Sequence, residues 1–293
     1  MQEFKVLPEH VGVRADIFIA QKYPKFTRSS LERLFDDKHV SIDGKPIKPS
    51  HKLREGEKLK VNDSVLKIKP AKIDLPIHFE DENVTVIDKP EGILTHAKGA
   101  INDEATVATF IAPKIKDKKL VGNRAGIVHR LDRGTSGLII TAKNSEAVTK
   151  LQKQFSQRKT KKTYLAIVEG MPSETKAIID APIERNPKKP QTFRVSLNGK
   201  TAQTEYQVLK TFEVAGQVYS LLELKPTTGR THQLRVHLKY IGHPIVGDRA
   251  YGKPAEHLYL HAAELELTLP NSERRVFRSK TPKYFDDFRK VES

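Results

Sequence analysis

The most informative pattern of apolar and polar positions lies between residues 127 and 143. Ile127 and Val128 form a short apolar run, residues 129–137 are mainly polar, and a longer apolar run begins at Leu138. Apolar runs of this length, separated by a polar segment with glycines, are typical of two strands and a connecting loop. The sequence therefore predicts a polar loop that is held between two strands.

Short strands dominate the pattern after this loop. One helix is predicted from Ser145, because Val148, Leu151 and Phe155 fall on one helical face. Residues 177–210 have the alternation and turn residues of hairpins. Sequential strands with few helices favour an α+β fold with a largely antiparallel, mixed sheet, since a doubly wound fold would show regular strand–helix alternation.

Residues 11–62 predict a small α/β module of two short helices followed by a hairpin. Ser29 and Glu32 form a capping-box pattern at the second helix, and Asp43-Gly44 is a strong hairpin signal. A basic stretch with two prolines follows and has the character of a linker. The two predicted domains are residues 11–72 and 73–293.

The charge of the chain points to a polyanionic partner. Its 293 residues carry 52 Lys and Arg against 36 Asp and Glu, a net charge of +16, while 37% of the residues are hydrophobic. This composition supports a globular protein of two domains with proper cores. The basic excess favours nucleic acid over a membrane surface.

The absence of cysteine narrows the possible chemistry. With no Cys in the sequence, disulfides, thiolate zinc sites and cysteine nucleophiles are all excluded. No apolar run approaches the roughly 20 residues that a membrane helix needs. We therefore expect a cytoplasmic protein that does not contact membranes.

Asp132 is the candidate reactive group of the central loop. It lies close to Arg130 and Arg133, which would favour its ionised form, and Gly134 and Gly137 allow the loop to turn tightly. An ionised carboxylate can act as a nucleophile or as a base. The alternative from the residues alone is a structural Arg–Asp–Arg ion cluster beside a turn.

A second group of charged residues follows a predicted strand and turn near residue 229. Arg230, His232, Arg235 and His237 are so close in sequence that they indicate either a phosphate-binding site or a metal site. The phosphate site is favoured, because cationic neighbours oppose metal binding and no carboxylate cluster is nearby. The chain also lacks phosphate-loop and dinucleotide motifs, so we expect no metal and no cofactor.

Four segments resemble RluA-type RNA pseudouridine synthases, in the expected order. They are Asp88-Lys89-Pro90-Glu91-Gly92, His129 to Leu138, Lys162-Thr163-Tyr164 and Gly229 to His237. The resemblance implies the pseudouridine synthase fold and a catalytic Asp132. It also implies that Tyr164 meets the target base and that Arg230 pairs with Asp132.

The N-terminal module resembles the S4 RNA-binding domain. One departure is Lys38, which stands where that family usually has glycine, so either Lys38 takes a left-handed backbone or the helix ends differently. The resemblance and the charge together suggest RNA contacts in both predicted domains. The candidate RNA-binding residues are Arg14, Lys25, Arg28, Arg33, His129, Arg130, Arg133, Lys162, His232 and Arg235.

The sequence thus predicts an enzyme that isomerises specific uridines to pseudouridine. A single evident carboxylate suits this reaction better than glycoside hydrolysis, which normally uses two. The small N-terminal module favours large-subunit (23S) ribosomal RNA over transfer RNA, and we expect a monomer. The alternatives are a transfer-RNA or dual-specificity synthase, a non-catalytic RNA-binding factor of ribosome assembly, and a single-carboxylate hydrolase.

Overall fold

A computed structural model describes residues 1–24, 26–68, 70–97, 99 and 104–290. Lys25, one of the candidate RNA-binding residues, lies outside the described residues. The chain forms two compact units. The first comprises Met1–Ile73, His96–Phe110 and Val121–Ala125, and the second comprises Asp74–Thr95, Ile111–Leu120 and Gly126–Ser293.

The first unit contains two helices and a four-stranded antiparallel sheet, of order β1-β4-β2-β3. Its main elements are β1 (Gln2–Lys5), α1 (Ala15–Lys22), α2 (Arg28–Asp36), β2 (Val40–Ile42), β3 (Lys45–Pro46) and β4 (Lys58–Val61). The predicted hairpin turn is confirmed, since Asp43 and Gly44 both have positive φ angles of 48° and 75°. Leu31, Leu34 and Phe35, which are spaced i, i+3, i+4, form the buried face of α2.

The structure shows where α2 begins and how it ends, and both ends bear on the sequence predictions. Its N-cap is Thr27, whose hydroxyl accepts a hydrogen bond from the Ser30 N–H, so the prediction of a Ser29 cap was wrong by two residues. At the other end Lys38 takes the left-handed backbone, with φ 59°. Of the two alternatives left open for Lys38, the structure shows the strained one.

The second unit is built on a mixed sheet of nine described strands. Its elements are β5 (Ile77–Glu80), β6 (Val84–Lys89), β7 (Ser136–Ala142), α4 (Ser145–Ser156), β8 (Lys161–Glu169), β9 (Lys176–Asp180), β10 (Ile183–Arg185), β11 (Phe193–Val195), β12 (Gln203–Val214), β13 (Gln217–Pro226), α5 (Gln233–Tyr240), β14 (Leu260–Thr268), β15 (Arg274–Arg278) and α6 (Lys283–Lys290). A short helix, α3 (Val107–Ile111), precedes β7 in the chain.

The strand order of the large sheet is β5-β6-β7-β14-β8-β13-β12-β9, with β15 also paired to β14. The β7–β14 pair is parallel and the other described pairs are antiparallel. β10 and β11 form a separate two-stranded hairpin. The predicted α+β class with a largely antiparallel, mixed sheet is therefore confirmed.

The centre of this sheet supports the loop that carries Asp132. All seven residues of β7 are buried, which accounts for the apolar run Leu138-Ile139-Ile140 at its centre. Gly137 is required in this strand, because its φ is 106° and a Cβ atom would lie 2.3 Å from the Ala262 carbonyl oxygen. The loop that carries Asp132 therefore ends at a rigid, close-packed pair of strands, β7 and β14. No helix in the described ranges is long and apolar enough to cross a membrane.

Candidate active site

Asp132 lies in a loop whose backbone is fixed on both sides. The buried Thr95 hydroxyl donates to the Leu131 carbonyl and accepts from the Leu131 N–H, at 2.9 and 3.1 Å. The Lys89 ammonium donates to the Arg133 carbonyl at 3.3 Å. The Thr135 N–H donates to the Asp132 carbonyl at 3.1 Å. These contacts hold the carboxylate at a defined place although it lies outside regular secondary structure.

Lys89 anchors this loop at the cost of burying an amine. Its side chain has no exposed surface and also donates to the Pro90 and Ile93 carbonyls, at 2.8 and 2.9 Å. Burial lowers the pKa of Lys89 to about 7, while the charges of Asp132 and Glu91 act in the opposite direction. The first motif of the sequence thus supports the site and does not itself reach it.

The two oxygens of the Asp132 carboxylate have different surroundings. Oδ2 lies 3.3 Å from Arg235 Nη1 and 3.8 Å from His232 Nε2. Oδ1 accepts no hydrogen bond from any residue in the described ranges, and the side chain is 17% exposed. One oxygen is therefore held by a cation, while the other is available for reaction.

Arg235 is itself fixed by a second carboxylate. Its Nε and Nη2 donate to the two oxygens of Asp248, both at 2.7 Å. Asp248 is fully buried and also accepts from the Ala250 and Tyr251 N–H groups. Burial disfavours the charged Arg235, but the bonds to Asp248 and the charge of Asp132 outweigh it and raise the pKa of Arg235. Arg235 is therefore a permanent cation with a fixed direction.

The predicted pairing of Arg230 with Asp132 was wrong, because Arg235 makes that ion pair. Arg230 lies before the first turn of α5, and its Nε donates to the Thr201 carbonyl at 3.0 Å. The Arg230 N–H donates to the Gln233 side chain at 3.0 Å. Both arginines belong to the same sequence motif, and spacing alone did not distinguish them.

β8 contributes two further groups to the site. Lys162 and Tyr164 are two residues apart in the strand, so their side chains point to the same face. Both line the same cavity as Asp132. Burial and the negative charge of Asp132 raise the pKa of Tyr164, so it stays a neutral phenol. Burial lowers the pKa of Lys162 to about 8. This strand therefore supplies a hydrogen-bonding ring and a cation to the cavity.

His129 is a neutral part of the cavity wall. Its Nε2 accepts a hydrogen bond from the Ile140 N–H at 3.0 Å, and its ring stacks on Phe155 at 4.5 Å between centroids. Burial, with a smaller effect of the Lys162 charge, lowers the pKa of His129 to about 3. A neutral ring whose Nε2 is already occupied offers RNA no positive charge, so the predicted RNA contact of His129 would have to be made without an ion pair.

The cavity itself has a volume of about 430 Å³, within the range of pockets that hold a small ligand. Asp132 is the one acidic residue among the described residues that line it. The cations that line it are Arg130, Arg158, Lys162, Arg230 and Arg235. A cavity with a single carboxylate and several cations suits one nucleotide of a polyanionic chain.

The remaining predicted RNA-binding residues lie in several environments. Arg133 is exposed and donates to the Gly92 carbonyl, and Arg33 pairs with Asp37. Arg14 and Arg28 both donate to Asp16, at 2.9 and 2.8 Å, and remain half-exposed. Asp16 thus holds two arginines side by side on the surface of the first unit.

Sequence reasoning missed three residues of the site. Asp248 and Tyr251 follow α5 in the chain, where no local sequence pattern marks them as part of the site. Arg158 directly follows the C-cap of α4, a position that glycine usually occupies. His257 and His261 contact Glu91 and Ser136 respectively, and no three potential metal ligands converge anywhere in the described chain.

The fold and this site together define an RNA-modifying enzyme, and comparison with known proteins gives its family. Residues 83–240 match the RNA pseudouridylate synthase family and residues 13–59 match the S4 domain. The chain belongs to the RNA pseudouridylate synthase family and is an isomerase that acts on uridines of RNA.

Individual relatives agree with this assignment. The chain is 38% identical over 291 residues to ribosomal large subunit pseudouridine synthase D of Borreliella burgdorferi, covering 94% of this chain and 88% of that protein. It is 36% identical over 254 residues to the protein of the same name from Escherichia coli, covering 84% and 75%. The solved structure of human RNA pseudouridylate synthase domain containing 1 matches with a TM-score of 0.60 and 27% identity, over 73% of this chain and 87% of that one.

Proposed function

We propose that the chain converts specific uridines of large-subunit (23S) ribosomal RNA to pseudouridine, with Asp132 as the reactive group. The observation that carries the role of Asp132 is its unequal environment: Oδ2 is held by Arg235 while Oδ1 is free within the cavity. The choice of ribosomal RNA is supported by the names of two relatives that this chain covers over 75% or more of their length.

The reaction is an isomerisation without net gain or loss of atoms from the nucleoside. The bond between N1 and C1′ breaks, and the uracil leaves with the electron pair of that bond. The base turns, C5 bonds to C1′, the hydrogen of C5 is released and N1 takes a proton. Asp132 can start this sequence by attack of Oδ1 on C1′ or by removal of the C2′ proton. Both routes need the Asp132 carboxylate beside the ribose, in the direction in which its contact with Arg235 holds it.

Tyr164 and the cations of the rim have complementary roles in this proposal. The target uridine must leave its stack, which costs a few kcal/mol in paired RNA. The neutral Tyr164 ring offers a stacking surface for the base and a hydroxyl for hydrogen bonding. Arg130, Arg230 and Lys162 line the cavity and would hold phosphates or the departing uracil anion. Arg235 stays with Asp132.

The proposal also includes the organisation of the chain. Residues 11–72 act as the RNA-holding S4-like domain and residues 73–293 as the catalytic domain. The half-exposed pair Arg14 and Arg28 supports the RNA role of the former. We propose a monomer that acts in the cytoplasm, where ribosomal RNA is assembled.

The proposal is tested by tritium release from RNA labelled at C5 of uridine. Unmodified 23S ribosomal RNA and a pool of transfer-RNA transcripts are incubated separately with the protein, and modified positions are then mapped chemically. We expect stoichiometric release from discrete positions of the ribosomal RNA. Release from transfer RNA alone would contradict the substrate, and binding without release from either RNA would favour the non-catalytic assembly factor.

A further inference from the structure

A chain of polar contacts runs from the β10–β11 hairpin to Asp132. The Phe193 N–H donates to the Tyr251 hydroxyl oxygen at 2.8 Å. The same oxygen lies 2.8 Å from Nδ1 of His232. The opposite ring nitrogen, Nε2, lies 3.8 Å from Oδ2 of Asp132. A single side chain, that of His232, thus separates the Tyr251 hydroxyl from the Asp132 carboxylate.

The position of the protons in this chain follows from the donors available. The Tyr251 oxygen already accepts from Phe193, and His232 Nδ1 is the one acceptor within reach of its O–H among the described residues. We infer that the hydroxyl donates to Nδ1, since its O–H then has a partner, and a neutral ring that accepts at Nδ1 carries its hydrogen on Nε2. That N–H lies on the side of Asp132, with Nε2 3.8 Å from the oxygen that Arg235 also holds, which is near but beyond hydrogen-bond distance.

His232 is held in this orientation by strain and by packing. It has a left-handed backbone, with φ 57°, at the position before α5. Non-glycine residues seldom take this backbone conformation, and such strain concentrates at functional sites. Phe193 and Tyr251 both contact the His232 ring edge to face, each at 5.6 Å between centroids. The ring cannot turn without losing these contacts.

The charges around His232 come from three segments. Asp132 and Asp248 favour its protonation, whereas Arg235 and Arg130 oppose it. Burial has the largest effect, and the net result is a pKa of His232 below its ordinary value. The ring is therefore neutral when Asp132 is ionised, as the tautomer argument requires.

We propose that Tyr251 is a positioning residue for the isomerisation, whose hydroxyl fixes His232 as the Nε2–H tautomer and so fixes the orientation of Asp132. Tyr251 also lies under Arg235, with the guanidinium carbon 5.1 Å from the ring centre. Arg235, which holds Oδ2 of Asp132, and His232, whose Nε2 lies 3.8 Å from the same oxygen, are thus both in contact with this one side chain. The inference rests on the proposed role of Asp132 as the reactive group.

Tyr251→Phe tests the proposal, because it keeps the ring beneath Arg235 and removes only the hydroxyl. We expect kcat for tritium release to fall roughly 10- to 100-fold, as when a group that orients a reactive ligand is lost, with KM for RNA within about twofold. Loss of the O–H donor also makes protonation of His232 easier. The acid limb of the pH profile of kcat should therefore move to higher pH, because an imidazolium beside Asp132 would pair with the negative charge of its carboxylate.

Two controls separate positioning from general structure. Tyr240→Phe removes an exposed hydroxyl at the end of α5 and should leave kcat, KM and the pH profile unchanged. In parallel, ¹⁵N NMR of the imidazole rings, assigned with His232→Gln, should show the Nε2–H tautomer in the wild type and its loss in Tyr251→Phe. This readout does not depend on turnover.

The outcomes decide the inference separately from the proposed function. Unchanged kcat and pH profile in Tyr251→Phe, or a wild-type His232 that carries its hydrogen on Nδ1, would overturn the role of Tyr251. A fall in thermal stability with no change in kcat would do the same, since it would show a purely structural hydroxyl. Failure of the wild type to release tritium from any RNA would instead contradict the proposed function.

Discussion

At the scale of single residues, the central feature of the site is that the two carboxylate oxygens of Asp132 have different surroundings. Oδ2 is close to Arg235 and His232, whereas Oδ1 has no described partner. A carboxylate held through one oxygen keeps its direction while the other oxygen can approach the ribose. In the proposed reaction, Asp132 is therefore oriented before RNA arrives.

Arg158 gives a second residue that is placed at a cost. It follows α4 with a left-handed backbone, φ 59°, where its N–H and that of Lys159 close the helix on the Phe155 and Gln154 carbonyls. Glycine would adopt this conformation without strain. The Arg158 side chain lines the cavity, so the strain maintains a cation at its rim.

Arg158→Gly should therefore change stability and RNA binding in opposite directions. We expect the free energy of unfolding to rise by about 1 kcal/mol and KM for RNA to rise roughly three- to tenfold as one phosphate contact is lost. Chemical denaturation and steady-state tritium release measure the two effects. Ala215→Gly, which relieves a φ of 49° in the β12–β13 turn, is the matched control and should stabilise without changing KM. A lower stability, or an unchanged KM, in Arg158→Gly would count against this account.

At the scale of elements, the sequence predicted the strands better than the contacts between them. β7 was predicted because its continuous apolar run matches a strand buried on both faces, and Lys38 was expected either to be left-handed or to end its helix differently. The choice between Arg230 and Arg235 depends on Asp248, which packs beside α5 only after the chain has folded back. Tyr251 lies on the same returning segment, so no local pattern could reveal it.

Lys89 shows how one element end supports another. It lies at the end of β6, where its ammonium joins the Pro90 and Ile93 carbonyls to the carbonyl of Arg133 in the loop of Asp132. Because burial lowers its pKa to about 7, whereas an unfolded lysine titrates near 10.4, the unfolded chain binds more protons between these two pH values. The contribution of Lys89 to stability therefore rises with pH across that window.

Lys89→Met should remove this part of the pH dependence. Between pH 7 and pH 9.5 we expect the free energy of unfolding of the wild type to gain more, or lose less, than that of Lys89→Met, with the variant less stable at both pH values because three carbonyls lose a donor. Urea denaturation at the two pH values measures the difference. Lys253→Met, which changes a lysine 77% exposed in its side chain, should follow the wild type. Parallel pH dependence of wild type and Lys89→Met would contradict the explanation.

At the scale of the whole molecule, the charge of +16 is distributed over both units. In the first unit, Asp16 holds Arg14 and Arg28 together at the N-terminal ends of α1 and α2, and Arg33 follows on α2. In the second unit, cations surround the cavity. RNA binding and RNA chemistry should therefore be separable by mutation.

The double substitution Arg28→Gln and Arg33→Gln tests this separation in the full chain. We expect KM for RNA to rise and the dependence of binding on salt to weaken, with the slope of log K against log salt reduced by about 1 to 2. The value of kcat at saturating RNA should stay within twofold, since the cavity is unchanged. Arg278→Gln, which removes one exposed charge on β15, is the control, and we expect it to leave the salt slope unchanged. An unchanged salt slope in the double variant would exclude these arginines from RNA contact.

The central claim is that Asp132 carries the reaction while contributing little to RNA affinity. The most direct measurement is single-turnover tritium release from 23S ribosomal RNA labelled at uridine C5, comparing wild type with Asp132→Asn and measuring RNA affinity on the same samples. The account predicts that Asp132→Asn loses detectable turnover while its affinity stays within a few-fold of the wild type. Substantial release by Asp132→Asn would show that another group starts the reaction. Loss of both turnover and affinity would make Asp132 a structural member of its ion cluster.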